Sequence, residues 1–512
     1  MQAAESGIVP RWEWRAFSER FVDAERRFAA RDPDGVTETV DLHLVSRNGD
    51  NTVKVRDGVM DIKHLERVDD DGLEQWLPVM KEPFPIAAGE VNRVLTDLRV
   101  TAGPHARTVY TLDEILEEFA DPAGDVVALE VRKRRAHYTL GACMAELTEV
   151  STHHGDTRTI AVESEDPALV VATVRELGLA SLPNLSYTRW LKMLVGYTPA
   201  RFAVIDVGTN SVKFHLGERT PDGLWRTVVD RAEVTRLGEG LDQSGELQAT
   251  PMERTVAAIA SMVDEAHRGG VLTIAAVGTA GLRIASNSAA FVQAVDARCG
   301  VRIEVIPGEE EGRLAYLAAT RSLGPAGGSL VVFDSGGGSS QFTFGRGRHV
   351  HERFSVNVGA ARFTEHFGLD GPVPEGVLAA ALAAIAADLA RLDGRPAPDA
   401  LVGMGGAVTN LAAVRHGLET YDPEMVQGTV LDRAEIDRQI ERYRTSTAEE
   451  RRRIVGLQPE RAEVILAGAC IVRTVMTKLG ADTVTVSDRG LRHGLLLERF
   501  AIPGMGGRSA GT

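Results

Sequence analysis

A twelve-residue pattern, D-x-G-x-x-S-x-x-F-x-x-G, occurs twice in this chain, 128 residues apart and without a gap. The segments "FAVIDVGTNSVKFHLGE" and "LVVFDSGGGSSQFTFGR" align Asp206 with Asp334, Gly208 with Gly336 and Ser211 with Ser339, then Phe214 with Phe342 and Gly217 with Gly345. Each copy reads as strand, glycine turn, strand. Duplication of such a unit implies two similar lobes facing across a cleft, with one turn from each lobe pointing inward. Glycine lets a backbone approach a ligand closely, and consecutive free N–H groups form a nest for an anion. Ser211 and Ser339 add hydroxyl donors. Asp206 and Asp334, at the strand ends, suit Mg²⁺, a hard cation that prefers carboxylate, water and phosphate oxygens. A plain tight hairpin would also explain Gly336, Gly337 and Gly338, but it does not explain why the pattern recurs.

Two further segments point to the same chemistry. "VGMGGAVTNLAAV" sets Gly405 and Gly406 before a helical run, and a helix N-terminus favours anions. "VIPGEEEGRLAYLA" breaks the chain at Pro307-Gly308 and places Glu309, Glu310 and Glu311 in the first turn of a helix. Acidic residues are ordinary there. Hydrolysis of a phosphoanhydride, however, needs a carboxylate to orient or deprotonate water.

Composition limits the alternatives. The 512 residues exceed one core and predict two or three domains. A net charge of −15 argues against a general nucleic-acid or anionic-membrane binder. The three cysteines, 143, 299 and 470, are too few and too scattered for a disulfide framework or a zinc site. No apolar run approaches a membrane span, and "MQAAESGIVPRW" lacks a signal-peptide pattern, so a cytoplasmic location is expected.

Up to about Leu194 the periodicity is that of strands. "RWEWR" puts Arg11, Glu13 and Arg15 on one face and Trp12 and Trp14 on the other. "NTVKVRDGVMDIK" alternates Val53 and Val55 with Lys54 and Arg56, turns at Asp57-Gly58, and returns with Asp61 and Lys63. "VVALEVRKRRAHYTL" places Glu130, Arg132 and Arg134 on one face, and the next two strands add Glu146 and Glu163. A helix is predicted from Pro167 to about Leu177, stopped by Gly178. Patterning alone leaves open whether the charged face meets water or an interior. Residues 196–201, "GYTPAR", read as the linker to an α/β part.

In order, "IDVGTNSVKF", "GTAGLRIASN", "VIPGEEEGR", "FDSGGGSSQ", "VGAARFTEHF", "GMGGAVTNLAAV", "LQPERAEVILAG" and "TVSDRGLRHGLL" resemble the exopolyphosphatase/guanosine pentaphosphate phosphohydrolase family. The resemblance implies a two-lobed α/β actin-like, sugar-kinase ATPase fold with duplicated RNase H-like lobes. It matches Glu311 to a catalytic base, Arg283 to a cleft arginine, and Asp334 to a Mg²⁺-associated carboxylate. Gly208, Thr209, Asn210, Ser211, Gly336, Gly337, Gly338, Ser339, Gly405 and Gly406 match phosphate-loop positions, and Asp206 is the paired metal carboxylate. One departure is Gln341, where the family has glutamate; loss of that charge should weaken metal binding or basicity. The helical extension of longer members is also missing from this sequence.

The N-terminal half resembles a CYTH domain, the triphosphate tunnel fold, in "VKVRDG…DIK", "VRKRRAHYTLGACMAELTEV", "IAVESED" and "LPNLSYTRWLKML". That resemblance implies an α+β antiparallel barrel and turns the charged face inward, making Glu13, Arg15, Lys54, Arg56, Lys63, Arg132, Arg134, Glu146 and Glu163 tunnel residues. The family's opening Glu-x-Glu-x-Lys is replaced by Arg11-x-Glu13-x-Arg15, which favours polyanion binding over metal catalysis. The expected organisation is a CYTH-like domain over 1–196, a phosphatase domain over 200–500 and a disordered tail over 501–512. The expected function is Mg²⁺-dependent removal of terminal phosphate from inorganic polyphosphate, with guanosine pentaphosphate as the alternative substrate. A non-catalytic polyphosphate sensor and a kinase on the same fold are the competing readings. No nucleic-acid or membrane partner is expected, and a homodimer is left open.

Overall fold

The structure is a computed structural model that describes residues 10–101, 107–121, 124–323, 327–347 and 349–500. The tail expected over 501–512 lies outside the described residues. Among the described residues ten strands precede the linker: β1 (Arg11–Ser18), β2 (Gly35–Ser46), β3 (Thr52–Arg56), β4 (Val59–Val68), β5 (Glu74–Pro83), β6 (Ile86–Ala87), β7 (Val109–Tyr110), β8 (Val126–Leu140), β9 (Cys143–Thr152) and β10 (Gly155–Ser164). Eight of them close an antiparallel barrel in the order β1-β10-β9-β8-β2-β3-β4-β5, and β6 pairs with β7 outside it. Asp57 and Gly58 both have positive φ, 51° and 72°, as the two-residue turn between β3 and β4 requires. The helix Pro167–Glu176 begins on an Asp166 cap and ends before Gly178, at φ 76°.

One end of the barrel is plugged. The helix Tyr187–Leu194 starts on the Ser186 cap and buries Trp190 and Leu191 among Phe17, Val45, Leu129, Val131 and Val150. The Phe17 and Trp190 rings stack at 4.5 Å. The same apolar cluster continues into Phe202, Val204 and Leu272 of the following α/β part and into Leu491, Leu495 and Phe500 of the last helix. Barrel and α/β part therefore share a core.

The plug also decides which face of β8 points inward, and here the structure corrects the sequence reading. Arg132 and Arg134 lie on the outside of the barrel, with side chains 69% and 53% exposed, pairing with Glu130 and with Glu38 and Glu149. Lys133 and Arg135 face the interior instead. Both parities of "VRKRR" carry cations, so charge does not distinguish them. Leu129 and Val131, which must meet the plug, share their parity with Lys133 and Arg135, and a strand turns all its alternate residues together.

The α/β part repeats its topology. The first lobe contains β11 (Ala200–Val207), β12 (Ser211–Arg219), β13 (Trp225–Val234), β14 (Val271–Gly278) and β15 (Ile303–Val305), in the order β13-β12-β11-β14-β15. The second contains β16 (Ser329–Ser335), β17 (Ser340–Arg346), β18 (His349–Val356), β19 (Ala400–Met404), β20 (Val430–Asp432) and β21 (Thr483–Val486), in the order β18-β17-β16-β19-β21-β20. In each, an antiparallel hairpin is joined on one side by a parallel strand that feeds a helix. The duplication extends to hydrogen bonds: Gly208 N donates to Ser211 O at 3.1 Å, and Gly336 N to Ser339 O at 2.9 Å.

Candidate active site

The two glycine turns meet. A Cβ on Gly337 would lie 3.2 Å from the Asn210 Cβ, and one on Gly338 would lie 3.3 Å from Thr209 Oγ1. The cavity between them, about 70 Å³, is lined by Asp206, Gly208, Thr209, Asn210, Ser211, Glu311, Asp334, Gly336, Gly337, Gly338, Ser339, Gln341, Gly405 and Gly406. These fourteen come from the sequence-derived set, and Lys213, Thr279, Ala280, Ser335, Arg461 and Leu491 complete the lining. An adjoining cavity of about 240 Å³ extends past Lys213, Tyr421, Arg461, Asp488 and Arg492.

Backbone geometry explains the glycines. Gly405 has φ 93°, and a Cβ there would meet Ser335 O at 2.5 Å and Asp334 Oδ1 at 2.6 Å. Ala360 N and Ala361 N, opening the helix Ala360–Phe367, donate to Gly336 O and Gly337 O at 3.0 Å each. Those bonds hold the second turn by its carbonyls.

Glu311 reaches the cleft because its helix, Gly308–Ser322, lies against β17 and β18. A Cβ at Gly308 would be 2.4 Å from the Ser355 Cβ, and one at Gly312 would be 2.7 Å from Thr343 Oγ1. With glycine at both positions the helix seats closely and Glu311 turns inward at 8% exposure, while Glu310 pairs with Arg313 on the outside. Burial pushes the Glu311 carboxyl up to about 7, against the Arg283 guanidinium and with help from Asp206 and Asp334. Arg283 does not line the small cavity. It is ion-paired to Glu311 and donates to Ile306 O at 2.8 Å, so it holds the carboxylate in place.

The repeat pairs each aspartate with a cross-strand neighbour: Asp206 with Lys213 on β12, and Asp334 with Gln341 on β17. Lys213 Nζ lies 3.3 Å from Asp206 Oδ2. Gln341 donates through Nε2 to Ser339 Oγ at 2.7 Å and to Ser355 Oγ at 3.4 Å. Asp334 has no hydrogen bond or ion pair among the described residues, and burial raises its carboxyl above the ordinary value. Asp206 repulsion adds to that rise and Lys213 opposes it. A half-buried carboxylate without a partner among the described residues, beside the buried Asp206, fits a hard divalent cation.

Sequence reasoning missed Lys213 and Arg461. Lys213 is the counterpart of Gln341 in the repeat, 128 positions earlier, so the signal was present. The Arg461 guanidinium packs over Gly406, where a Cβ would come within 2.4 Å of it, and forms no hydrogen bond or ion pair among the described residues. An unpaired cation above a helix N-terminus and two glycine turns suits a phosphate oxygen.

The barrel holds a second polar cavity, of about 210 Å³, lined by Glu13, Arg15, Lys54, Arg56, Lys63, Glu146 and Glu163 as expected, together with His43, Lys133, Arg135 and Tyr187. Its charges are largely engaged with each other. Arg56 grips Asp41 through two bonds of 2.6 Å, Lys133 Nζ reaches it at 2.7 Å and Arg135 at 3.4 Å. Burial opposes ionisation of Asp41, yet the Arg56 hydrogen bonds and the Lys133 and Lys54 charges hold it well below the usual carboxylate range. Arg15 bonds Glu13 at 2.7 Å and Glu146 at 2.8 Å. Burial, with Glu13 nearby, pushes Glu163 up to about 7, and burial pushes Lys54 down to about 8. The Tyr187 hydroxyl is buried without a partner, and Lys63 forms no ion pair among the described residues.

Known proteins share the second part of the chain. The model of the Ppx/GppA phosphatase family matches residues 218–501. Exopolyphosphatase 2 of Mycobacterium tuberculosis is 28% identical over 320 residues, covering 58% of this chain and 98% of that protein. The bifunctional 3-dehydroquinate synthase/phosphatase of Fusobacterium nucleatum is 26% identical over 307 residues, but the match spans only 46% of its length. The crystal structure of the Aquifex aeolicus Ppx/GppA family member superposes with a TM-score of 0.52 at 33% identity, covering 58% of this chain and 97% of that one. The buried Glu311 and the second glycine turn, 336–339, lie within the matched residues 218–501, and the chain belongs to the Ppx/GppA phosphatase family.

Proposed function

We propose that this phosphoanhydride hydrolase is an exopolyphosphatase, releasing orthophosphate from the end of inorganic polyphosphate. The observation that carries the reading is the placement of Glu311, inward-facing and pushed up to about 7, beside the turns 208–211 and 336–339. A base is most effective when its pKa lies near the working pH. Glu311 takes the proton of a water that attacks the terminal phosphorus, with Arg283 orienting the carboxylate. The turn N–H groups, Ser211, Ser339 and Arg461 bind the phosphoryl oxygens, where preorganised donors stabilise developing charge. Asp334 and Asp206 would hold Mg²⁺ through their oxygens, and the ion would offset charge on the phosphate oxygens.

The barrel favours polyphosphate over guanosine pentaphosphate. A chain with a second cation-lined cavity in the same molecule suits a polymer that can occupy both. The interior cations Arg15, Lys54, Arg56, Lys63, Lys133 and Arg135, with the free Tyr187 hydroxyl, make this cavity a polyphosphate-binding module. Phosphate release from long-chain polyphosphate, guanosine pentaphosphate and ATP, each with Mg²⁺, tests the proposal. The long chain should be hydrolysed with the highest kcat/KM. A clear preference for guanosine pentaphosphate would overturn the substrate assignment, and no release from any of the three would favour a sensor.

A further inference from the structure

His215 on β12 and Asp230 on β13 are neighbours across the hairpin, and His493 reaches them from the helix Leu491–Arg499. The two imidazole rings have their centroids 4.5 Å apart, and a ligand atom from each of the three residues lies within 4.8 Å of the others. His215 Nδ1 and His493 Nε2 approach the same oxygen, Asp230 Oδ2, at 3.3 and 3.5 Å. Those separations are long for N–H···O hydrogen bonds, which cluster at about 2.7–3.2 Å. They do match the edges of a tetrahedron around a metal, since bonds of about 2.0–2.2 Å at tetrahedral angles place ligands about 3.3–3.6 Å apart.

An independent observation concerns His215 itself. It is 2% exposed, and its Nδ1 lies 3.3 Å from Asp230 Oδ2 but is not aligned for a hydrogen bond to it or to any other of the described residues. Buried polar atoms are nearly always satisfied, so an orphan of this kind needs an explanation. Two imidazoles and one carboxylate form a donor set that suits zinc-class ions and not Mg²⁺, which takes oxygen ligands. Arg492 holds Asp230 from the other side, through Oδ1 at 2.8 Å and Oδ2 at 3.0 Å, in the manner of an outer partner that orients a ligating carboxylate. Its positive charge works against a cation, which argues for moderate affinity.

We infer that His215, Asp230 and His493 form a binding site for a borderline divalent transition metal of the zinc class, distinct from the carboxylates of the cleft. The site joins the first-lobe hairpin β12–β13 to the C-terminal helix, which already packs on β11 and β12, so an occupied site pins that helix to the first lobe. Three protein ligands leave a fourth position for water.

Full-length protein, stripped with chelator and returned to millimolar Mg²⁺ to occupy the cleft, should be titrated with Co²⁺ and followed by visible absorption, and with Zn²⁺ by calorimetry. One equivalent of either ion should bind, Co²⁺ with the visible bands of a low-coordinate site, and Zn²⁺ should raise Tm. His493→Gln, at a part-exposed helix position, and His215→Gln should each weaken binding by at least about tenfold and abolish the Tm increase. Asp230→Asn provides a third variant should a histidine change impair folding, and the same weakening is expected. Absence of a Co²⁺ or Zn²⁺ equivalent above Mg²⁺ would overturn the inference. So would binding that survives unchanged in the folded variants.

Discussion

The barrel cavity and the cleft are both polar, both lined with cations and carboxylates, and they use these groups in opposite ways. In the barrel, Asp41 alone engages Arg56, Lys133 and Arg135 by hydrogen bonds, and Arg15 is divided between Glu13 and Glu146. In the cleft Asp206 pairs with Lys213 and Glu311 with Arg283, but Asp334 and Arg461 have no ion-pair partner among the described residues, and burial pushes Glu311 up to about 7. A network of mutually paired charges is already satisfied, and a polyanion must exchange partners with it. Unpaired groups held in place by packing are ready to meet charge that develops during a reaction. Cation content therefore does not distinguish a binding site from a reacting one.

The largest effect that would break this comparison is at Glu311. Glu311→Gln should lower kcat by roughly 10²–10⁴-fold with KM little changed. Turnover that survives would move the chemistry out of the cleft. Arg461→Gln should cost kcat/KM roughly 10–10²-fold, because it removes a cation that has no protein partner to lose. A phosphate-release assay checks this, and an effect confined to Tm would make Arg461 a packing residue.

A smaller effect separates the two faces of β8. Lys133→Ala with Arg135→Ala should weaken binding of long-chain polyphosphate and flatten its salt dependence. By analogy with nucleic acids, the slope is roughly 0.7–0.9 log units per log unit of salt for each neutralised phosphate. Arg132→Ala with Arg134→Ala, on the outside, should leave both nearly unchanged. Equal effects from the two pairs would mean that the polymer binds the outer wall, where a groove of about 960 Å³ lies beside Arg132, Arg134 and Arg158.

Gln341→Glu should lower the Mg²⁺ concentration for half-maximal activity by about tenfold, since it adds a carboxylate opposite Asp334. An unchanged metal titration would show that the Gln341 amide acts only as a brace for Ser339. The smallest effect is in the pH profile. Glu311 must be deprotonated to act as a base, so kcat/KM should rise with pH through about 7 on its acidic limb. Asp206 and Asp334 contribute to that raised value, so saturating Mg²⁺ should move the limb to lower pH. A limb that ignores Mg²⁺ would detach those aspartates from the metal.

The cleft was legible in the sequence because a repeat constrains two places at once. Once Asp206 and Asp334 are aligned, turn geometry, lobe topology and the meeting of the two loops follow from one strand-turn-strand unit. Glu311 was legible because Pro307-Gly308 starts its helix, although the seat that turns it inward depends on Gly308 and Gly312 packing against β17 and β18. Arg461 was not, since nothing in "LQPERAEV" shows that its side chain reaches back over Gly406. The barrel was legible as alternating strands, but its inner face was misread at Arg132 and Arg134, where a plug helix and two apolar residues set the parity. His493 gave no signal, because its partners lie 278 and 263 positions away in the chain.

The central claim is that hydrolysis occurs in the cleft while the barrel only binds. The most direct test is to measure orthophosphate release and long-chain polyphosphate binding on the same full-length Glu311→Gln protein, with and without Lys133→Ala and Arg135→Ala. The account predicts that Glu311→Gln stops release yet keeps binding, and that the barrel substitutions then weaken that binding. Release that persists in Glu311→Gln and disappears only with the barrel substitutions would contradict it, placing the chemistry in the barrel.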